Sequence, residues 1–353
     1  MGYVLAALLA WLAALLALYA AYLARREWFE SRGLRVYPLV LVVRRRLSLR
    51  GGGSRLARIF FTIGVAVLAY NMYVFYETMF ASTLLRLAGR LTSPTVTVII
   101  PGVTVSPETF LYMLPGLVLA AAVHEAMHAL AARAEGIAVK STGVALIAGI
   151  VPIAFVEPDE EEYSRLQLLG KLRILSAGVY ANTILALLLT ALLAATPIAY
   201  KLVVVGVEKG MPAAQALKPG DVIVYVNGTR VSSLEELRRL IQESSIVNIT
   251  VERGGRLVSV LIATKEVDGR RMIGVLLRVE PASPVYQVLI WAMLINTWLA
   301  VFNAAPLIIT DGGKAVTETL RRLLGERGVS LSMAIQLATI LLILLNAGIA
   351  RLG

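Results

Sequence analysis

Cysteine is absent from the 353 residues, which excludes disulfides, thiolate nucleophiles and every zinc or iron–sulfur site built on cysteine. Charge is scarce as well: Asp, Glu, Lys and Arg make up 16% of the chain, against about a quarter in soluble domains. Histidine occurs only twice. Any transition metal must therefore rest on those two imidazoles and on carboxylates.

What fills the chain is apolar. Hydrophobic residues reach 58%, and six stretches are long enough to cross a hydrocarbon core that needs about 20 apolar residues. They fall near 2–24, 58–82, 111–134, 172–196, 285–305 and 331–351. The first lacks the basic start of a signal peptide, and its apolar core is too long for one, so it is expected to be a retained span.

The net charge of +11 would suit nucleic acid if it were spread over a folded surface, but it is concentrated in one place. Residues 25–58 hold Arg25, Arg26, Arg32, Arg35, Arg44, Arg45, Arg46, Arg50, Arg55 and Arg58 against Glu27 and Glu30. A juxtamembrane loop of this kind is a topology signal and an attractor of anionic lipid, and no nucleic-acid partner is expected. Placing it on the cytoplasmic side puts 135–171 and 306–330 there too. Both termini, 83–110 and 197–284 then lie outside the cell membrane.

Residues 198–281 change character: short β-type runs alternate with turns and one charged helix. Strands are expected at 202–208, 222–226, 246–252 and 256–263. Asn227-Gly228 marks a tight turn, and Ser233 with Glu236 forms a capping box for a helix reaching about Glu243. The expected organisation is a polytopic α-helical membrane protein in three parts. These are a membrane domain over 1–197, a small α+β module over 198–281, and a second membrane part over 282–353.

The two histidines stand four residues apart in His124-Glu125-Ala126-Met127-His128, a spacing that chance would give on the order of one time in two hundred. Positions i and i+4 share a helix face, so both imidazoles can bind one metal. Glu125 lies beside that face, where it can take a proton from water at the metal. Ionisable groups inside a membrane span are costly and mark function. The third ligand is expected to be a carboxylate at the same depth. Asp311, delivered on backbone unwound by Pro306, is one candidate, with helix capping as its other reading; Glu157 is the rival.

These residues resemble the site-2 protease family of intramembrane zinc metalloproteases. Its signatures, His-Glu-x-x-His and Asn-x-x-Pro-x-x-x-x-Asp-Gly, are met at His124–His128 and at Asn303, Pro306, Asp311 and Gly312. The resemblance implies one Zn2+ held by His124, His128 and Asp311, with Glu125 as general base and then proton donor to the leaving amine. It also implies Asn182 and Asn303 as candidates for holding substrate or stabilising an oxyanion. Asn182 lies in Ser176-Ala177-Gly178-Val179-Tyr180-Ala181-Asn182, similar to the family's Gly-x-x-x-Asn segment except for Val179 in place of proline. Interhelical hydrogen bonding is its other reading.

The run Gly143 to Glu157, broken by Gly149 and Pro152, looks like the family's re-entrant segment, and 95–105 is expected to add a strand-like element. The module resembles a PDZ domain through Met211-Pro-Ala-Ala, Lys218-Pro-Gly-Asp-Val-Ile and Val226-Asn-Gly. Ile273, Gly274 and Val275 would then offer amides to a peptide carboxylate; an ordinary buried strand with a glycine bulge is the alternative. Implied partners are transmembrane protein substrates trimmed beforehand by another protease, and membrane lipid. Two competing readings are a membrane zinc endopeptidase that recruits a glutamate as third ligand, and an inactive membrane-anchored PDZ adaptor.

Overall fold

The structure is a computed structural model that describes residues 2–49, 52–147, 151–196, 200–267 and 269–348. In chain order the elements begin with α1 (Gly2–Ala24), α2 (Arg26–Glu30), β1 (Leu34–Tyr37), β2 (Val40–Leu49), α3 (Arg55–Leu87), β3 (Val96–Thr97) and α4 (Pro107–Ala134). Next come β4 (Val139–Ile147), β5 (Val151–Pro158), α5 (Glu160–Ser164) and α6 (Leu168–Ala195). The insert holds β6 (Tyr200–Val207), a 3-10 turn at Pro212–Gln215, β7 (Val222–Val226), β8 (Thr229–Arg230), α7 (Leu234–Gln242), β9 (Ile246–Arg253) and β10 (Arg256–Ala263). It closes with β11 (Lys265–Val267), β12 (Arg270–Met272) and β13 (Val275–Pro281). The chain then continues through α8 (Pro284–Ala304), α9 (Asp311–Leu324), α10 (Glu326–Asn346) and β14 (Ala347–Gly348).

Two compact units result, one from Met1–Thr190 with Trp291–Gly353 and the other from Ala191–Ile290. Helices α3, α4, α6, α8 and α10 are each long and apolar enough to cross a membrane. The described side chains of α1, Leu9–Ala24, are apolar over a shorter length.

In the first unit the usual inside-out order of a soluble protein is reversed. Large apolar side chains such as Ile59, Tyr70, Phe80, Leu337 and Leu344 are exposed. Polar ones, among them Asn71, Asn182, Asn296, Gln336 and Asn346, are buried. Such a surface suits lipid, where polar groups must find partners inside the bundle.

Small residues at every fourth position let the central helices approach. On α4 the stripe is Gly116, Ala120, His124, His128; on α8 it is Ala292, Asn296, Ala300, Ala304. A Cβ on Gly116 would stand 2.7 Å from the Ala292 Cα, so glycine is required at that crossing. Phe61, Ala131, Ile174 and Ala177 close the core between α3, α4 and α6.

The arginine-rich segment is not a loop throughout. Val40-Leu-Val-Val carries enough β-branched character to form a strand, and β2 pairs with β1 on one side and with β4 on the other. The sheet order is β1-β2-β4-β5, all antiparallel, which leaves β5 at an edge. The run expected to be re-entrant forms the paired strands β4 and β5; Gly149 lies outside the described residues. Residues 95–105 give less strand than their alternation suggests. Val96–Thr97 form a short strand with Ala347–Gly348 and Pro101 makes an isolated bridge to Val105, because Gly102 turns the chain at φ +80° and Thr104 Oγ1 closes the turn onto Val98 and Ile100.

The insert's main sheet runs β10-β9-β7-β6-β13, with β8 paired to β7. Its core of Leu202, Val204, Ile223, Val226, Leu237, Val247, Ile249, Val251 and Ile273 is built by strand alternation and one face of α7. Ser233 caps α7 by accepting from Glu236 N, while the Glu236 carboxylate reaches back to Ser232 N. Asn227 and Gly228, with φ of 50° and 81°, make the expected tight turn.

Candidate metal centre

Helix α4 carries His124 and His128 one turn apart on the face turned toward α6. That helix answers with its own four-residue stripe of Ile174, Gly178 and Asn182. The Ile174 carbonyl accepts from His128 Nδ1 at 2.7 Å, and Asn182 Oδ1 accepts from His124 Nδ1 at 2.7 Å. Gly178 leaves room for both rings, since a Cβ there would overlap His124 and crowd His128 Nε2.

Asp311 arrives from the other side. Helix α8 ends at Ala304, and Pro306 permits no continuation, so the chain turns through Leu307–Thr310. Thr310 is the N-cap of α9, its Oγ1 accepting from Gly313 N at 3.2 Å and donating to carbonyls of the preceding turn. Because Thr310 does the capping, the Asp311 carboxylate is left to face the histidines. Gly312 and Gly313 permit the tight backbone: a Cβ on either would collide with the carbonyls of Ala304 or Leu307.

Three donor atoms meet as a result. His124 Nε2 and His128 Nε2 are 3.1 Å apart, and each is 3.2 Å from Asp311 Oδ2. His124 and Asp311 are buried, at 9% and 8% exposure. With each Nδ1 proton directed to an acceptor oxygen, each Nε2 presents a lone pair. Two lone pairs and a carboxylate converging in a buried site repel one another unless a cation stands among them. Ligand atoms about 2.0–2.1 Å from a tetrahedral zinc lie roughly 3.3 Å from each other, close to the separations seen here. The donor set therefore fits a tetrahedral N2O metal site with a fourth position left for water or substrate.

Glu125 lies beside this face and is half-buried. Its carboxylate lies within electrostatic reach of His128, His124 and Asp311, and α4, which carries it, packs against edge strand β5. Glu157, the rival ligand, is engaged elsewhere: Arg44 on β2 and Ser141 on β4 both bind its Oε2. Asn303 sits half-buried in the last turn of α8, and its side chain has no hydrogen-bond partner among the described residues. Asn182, at 0% exposure, is fully hydrogen-bonded.

Asn296 is a neighbour of the site that sequence reasoning did not single out; its signal is its place in the Ala292-Asn296-Ala300-Ala304 stripe. In the insert, Ile273 is buried and Gly274 has φ +72°. Their carbonyls accept from Ala213 N and Glu208 N, both at 2.9 Å, and Val275 opens edge strand β13.

Comparison with known proteins adds to this geometry. The chain is 34% identical over 202 residues to a membrane-bound transcription factor site-2 protease homolog of Arabidopsis thaliana, covering 54% of this chain and 38% of that protein. It is 29% identical over 227 residues to an uncharacterized protein of Methanocaldococcus jannaschii, covering 60% of each. The chain thus spans 60% or less of the length of these curated relatives. A PDZ domain of an SdrC-like protein from Listeria monocytogenes is similar at 27% identity and a TM-score of 0.21, covering 22% of this chain and 85% of that one. Residues 112–343 match Peptidase family M50. That stretch is more than half of the chain and contains His124, Glu125, His128 and Asp311: the protein belongs to peptidase family M50.

Proposed function

We propose that the chain is an intramembrane zinc endopeptidase of the site-2 type, hydrolysing peptide bonds within or near transmembrane segments of membrane-anchored proteins. The observation that carries this reading is the convergence of His124, His128 and Asp311 donor atoms beside Glu125, on a helix long and apolar enough to span a bilayer.

When bound, zinc supplies Lewis acidity at the reacting carbonyl and water. The chain's own residues do the rest. His124, His128 and Asp311 hold the ion. Glu125 takes the proton of the attacking water and passes it to the amine as the peptide bond breaks. Asn303, whose carboxamide has no hydrogen-bond partner among the described residues, is available to hold substrate backbone or a developing oxyanion. A helical substrate hides its peptide bonds in its own hydrogen bonds, so it must unwind first. β5, the edge strand of its sheet and packed beside the helix that carries Glu125, offers an unwound segment a strand to pair with.

In this reading the active centre opens toward the cytoplasmic side. Support comes from pairing: the arginine-rich β2 and the strand β4 that follows α4 lie in one sheet, as expected if 25–58 and 135–171 share one side of the membrane. Likewise β3 pairs with β14, which suits 83–110 and the segment after α10 sharing the other side. The insert is assigned as a PDZ-like module that receives chain ends of pre-trimmed substrates, with Ile273, Gly274 and Val275 at its carboxylate loop. Deleting 198–281 then changes the preference between intact and trimmed substrates; unchanged cleavage of both would remove this part.

The test of the core proposal is cleavage of a single-span substrate by purified protein in detergent, with wild type beside Glu125→Gln. Wild-type protein should cut and lose activity to a chelator, recovering it with zinc, while the variant keeps its zinc and does not cut. Equal cleavage by both would refute the assignment.

A further inference from the structure

Two backbone carbonyls determine which nitrogen of His124 faces the metal position. The Ala292 carbonyl can only accept, and it receives Asn296 Nδ2 at 2.8 Å. That contact turns Asn296 Oδ1 toward Asn182, which must answer with a donor and does so through Nδ2 at 2.8 Å. The Ala120 carbonyl enforces the same orientation by accepting from Asn182 Nδ2 at 3.3 Å. Flipping the Asn182 amide would set oxygen against oxygen at both partners. Asn182 Oδ1 is therefore directed at His124 Nδ1, 2.7 Å away. An acceptor at that place requires the proton on Nδ1 and leaves the lone pair on Nε2, the atom 3.2 Å from Asp311.

We propose that Asn182, oriented by Asn296, is a positioning residue that fixes the tautomer and ring plane of His124 for metal binding. The inference rests on the reading of His124 as a metal ligand. It gives Asn182 a task other than oxyanion stabilisation, because both Nδ2 hydrogens are already directed to Ala120 and Asn296. Both asparagines are at 0% exposure, so water cannot replace either partner. Helices α4, α6 and α8 each contribute one link, and the small residues Gly116, Ala120 and Ala292 bring them close enough to make the chain of bonds. His128 needs no such device, since the Ile174 carbonyl, itself only an acceptor, serves it directly.

The test is zinc affinity of the full-length protein in detergent, stripped of metal and titrated against a competing chelator, with folding checked by circular dichroism and gel filtration. Removing an outer partner of a ligating histidine costs about 10- to 100-fold in metal affinity, and Asn182→Leu should weaken zinc binding by that amount. Asn182→Asp still accepts the Nδ1 proton but sets its other oxygen against the Ala120 carbonyl and Asn296 Oδ1, so it should recover only part of the loss. Asn296→Leu should weaken binding by a few fold, and adding it to Asn182→Leu should cost nothing further, because Asn296 acts through Asn182. Wild-type zinc affinity in folded Asn182→Leu would overturn the proposal, as would an additive double variant. If His124→Ala itself binds zinc like the wild type, the metal-site reading fails instead, whatever Asn182 does.

Discussion

Gly178 on α6 stands so close to His124 on α4 that its hydrogen is the largest substituent the imidazole tolerates there. The Gly-x-x-x-Asn spacing thereby acquires a physical meaning. Gly178 makes space for the rings, and Asn182 one turn later binds one of them. Gly178→Ala should lower zinc affinity by at least tenfold, because a methyl group must displace a ligand ring in a close-packed interior. Gly206→Ala in the insert, where the nearest atom to a Cβ is 3.4 Å away, should leave zinc binding unchanged. Metal analysis of the two purified variants decides the point.

The carboxylates Asp311 and Glu157 should separate cleanly. Asp311→Ala removes a donor from the converging set and should abolish stoichiometric zinc. Glu157→Ala should keep zinc and instead loosen the sheet where Arg44 and Ser141 meet it. Metal content together with hydrogen exchange over β2, β4 and β5 reads both effects. Zinc retained in Asp311→Ala and lost in Glu157→Ala would reverse the assignment.

Much of this arrangement was legible in the sequence because its signals are local. The apolar lengths of α3, α4, α6, α8 and α10, the His124–His128 spacing, the break at Pro306 and the strand–turn rhythm of the insert are each read within a few dozen residues. The β1-β2-β4-β5 sheet was not, because β2 finds its partner β4 about a hundred residues away and its arginines mask the Val40-Leu-Val-Val run. Asn296 was also missed. A single amide in an apolar helix reads as interhelical glue until its neighbour on α6 is seen to hold a histidine. Capping by Thr310 rather than Asp311 depends on a turn geometry that sequence alone does not fix.

Thr310 gives a third prediction. Loss of an N-cap hydroxyl costs about 1 kcal/mol, and here the cap also fixes the residue before Asp311. Thr310→Ala should therefore lower both thermal stability and zinc affinity, while Thr310→Ser, which keeps the oxygen, should restore both. A stability loss with unaltered zinc affinity would show that the cap and the ligand are uncoupled.

The insert should respond to acid through Asp221. Arg253 binds both carboxylate oxygens at 2.7 Å, and Lys218 N adds a bond at 2.8 Å. The Arg253 guanidinium, opposed by burial, holds the Asp221 pKa below its ordinary value. A carboxyl whose folded-state pKa is depressed contributes stability above its unfolded pKa of about 3.9 and loses it as pH falls through the lower folded value. Acidification below about pH 4 should thus lower the hydrogen-exchange protection across β7 and β9, measured against the unfolded chain at the same pH. In Arg253→Met the insert should exchange faster already at neutral pH, with a smaller further change on acidification. Identical acid responses in the two proteins would place the transition elsewhere.

The most direct measurement is the position of the cut. Wild-type protein reconstituted in liposomes with a single-span substrate, followed by mass analysis of the products, should give a scissile bond inside or at the border of the apolar segment. Glu125→Gln should give none. Cleavage confined to the water-exposed part of the substrate, or the same internal cut by Glu125→Gln, would contradict the account.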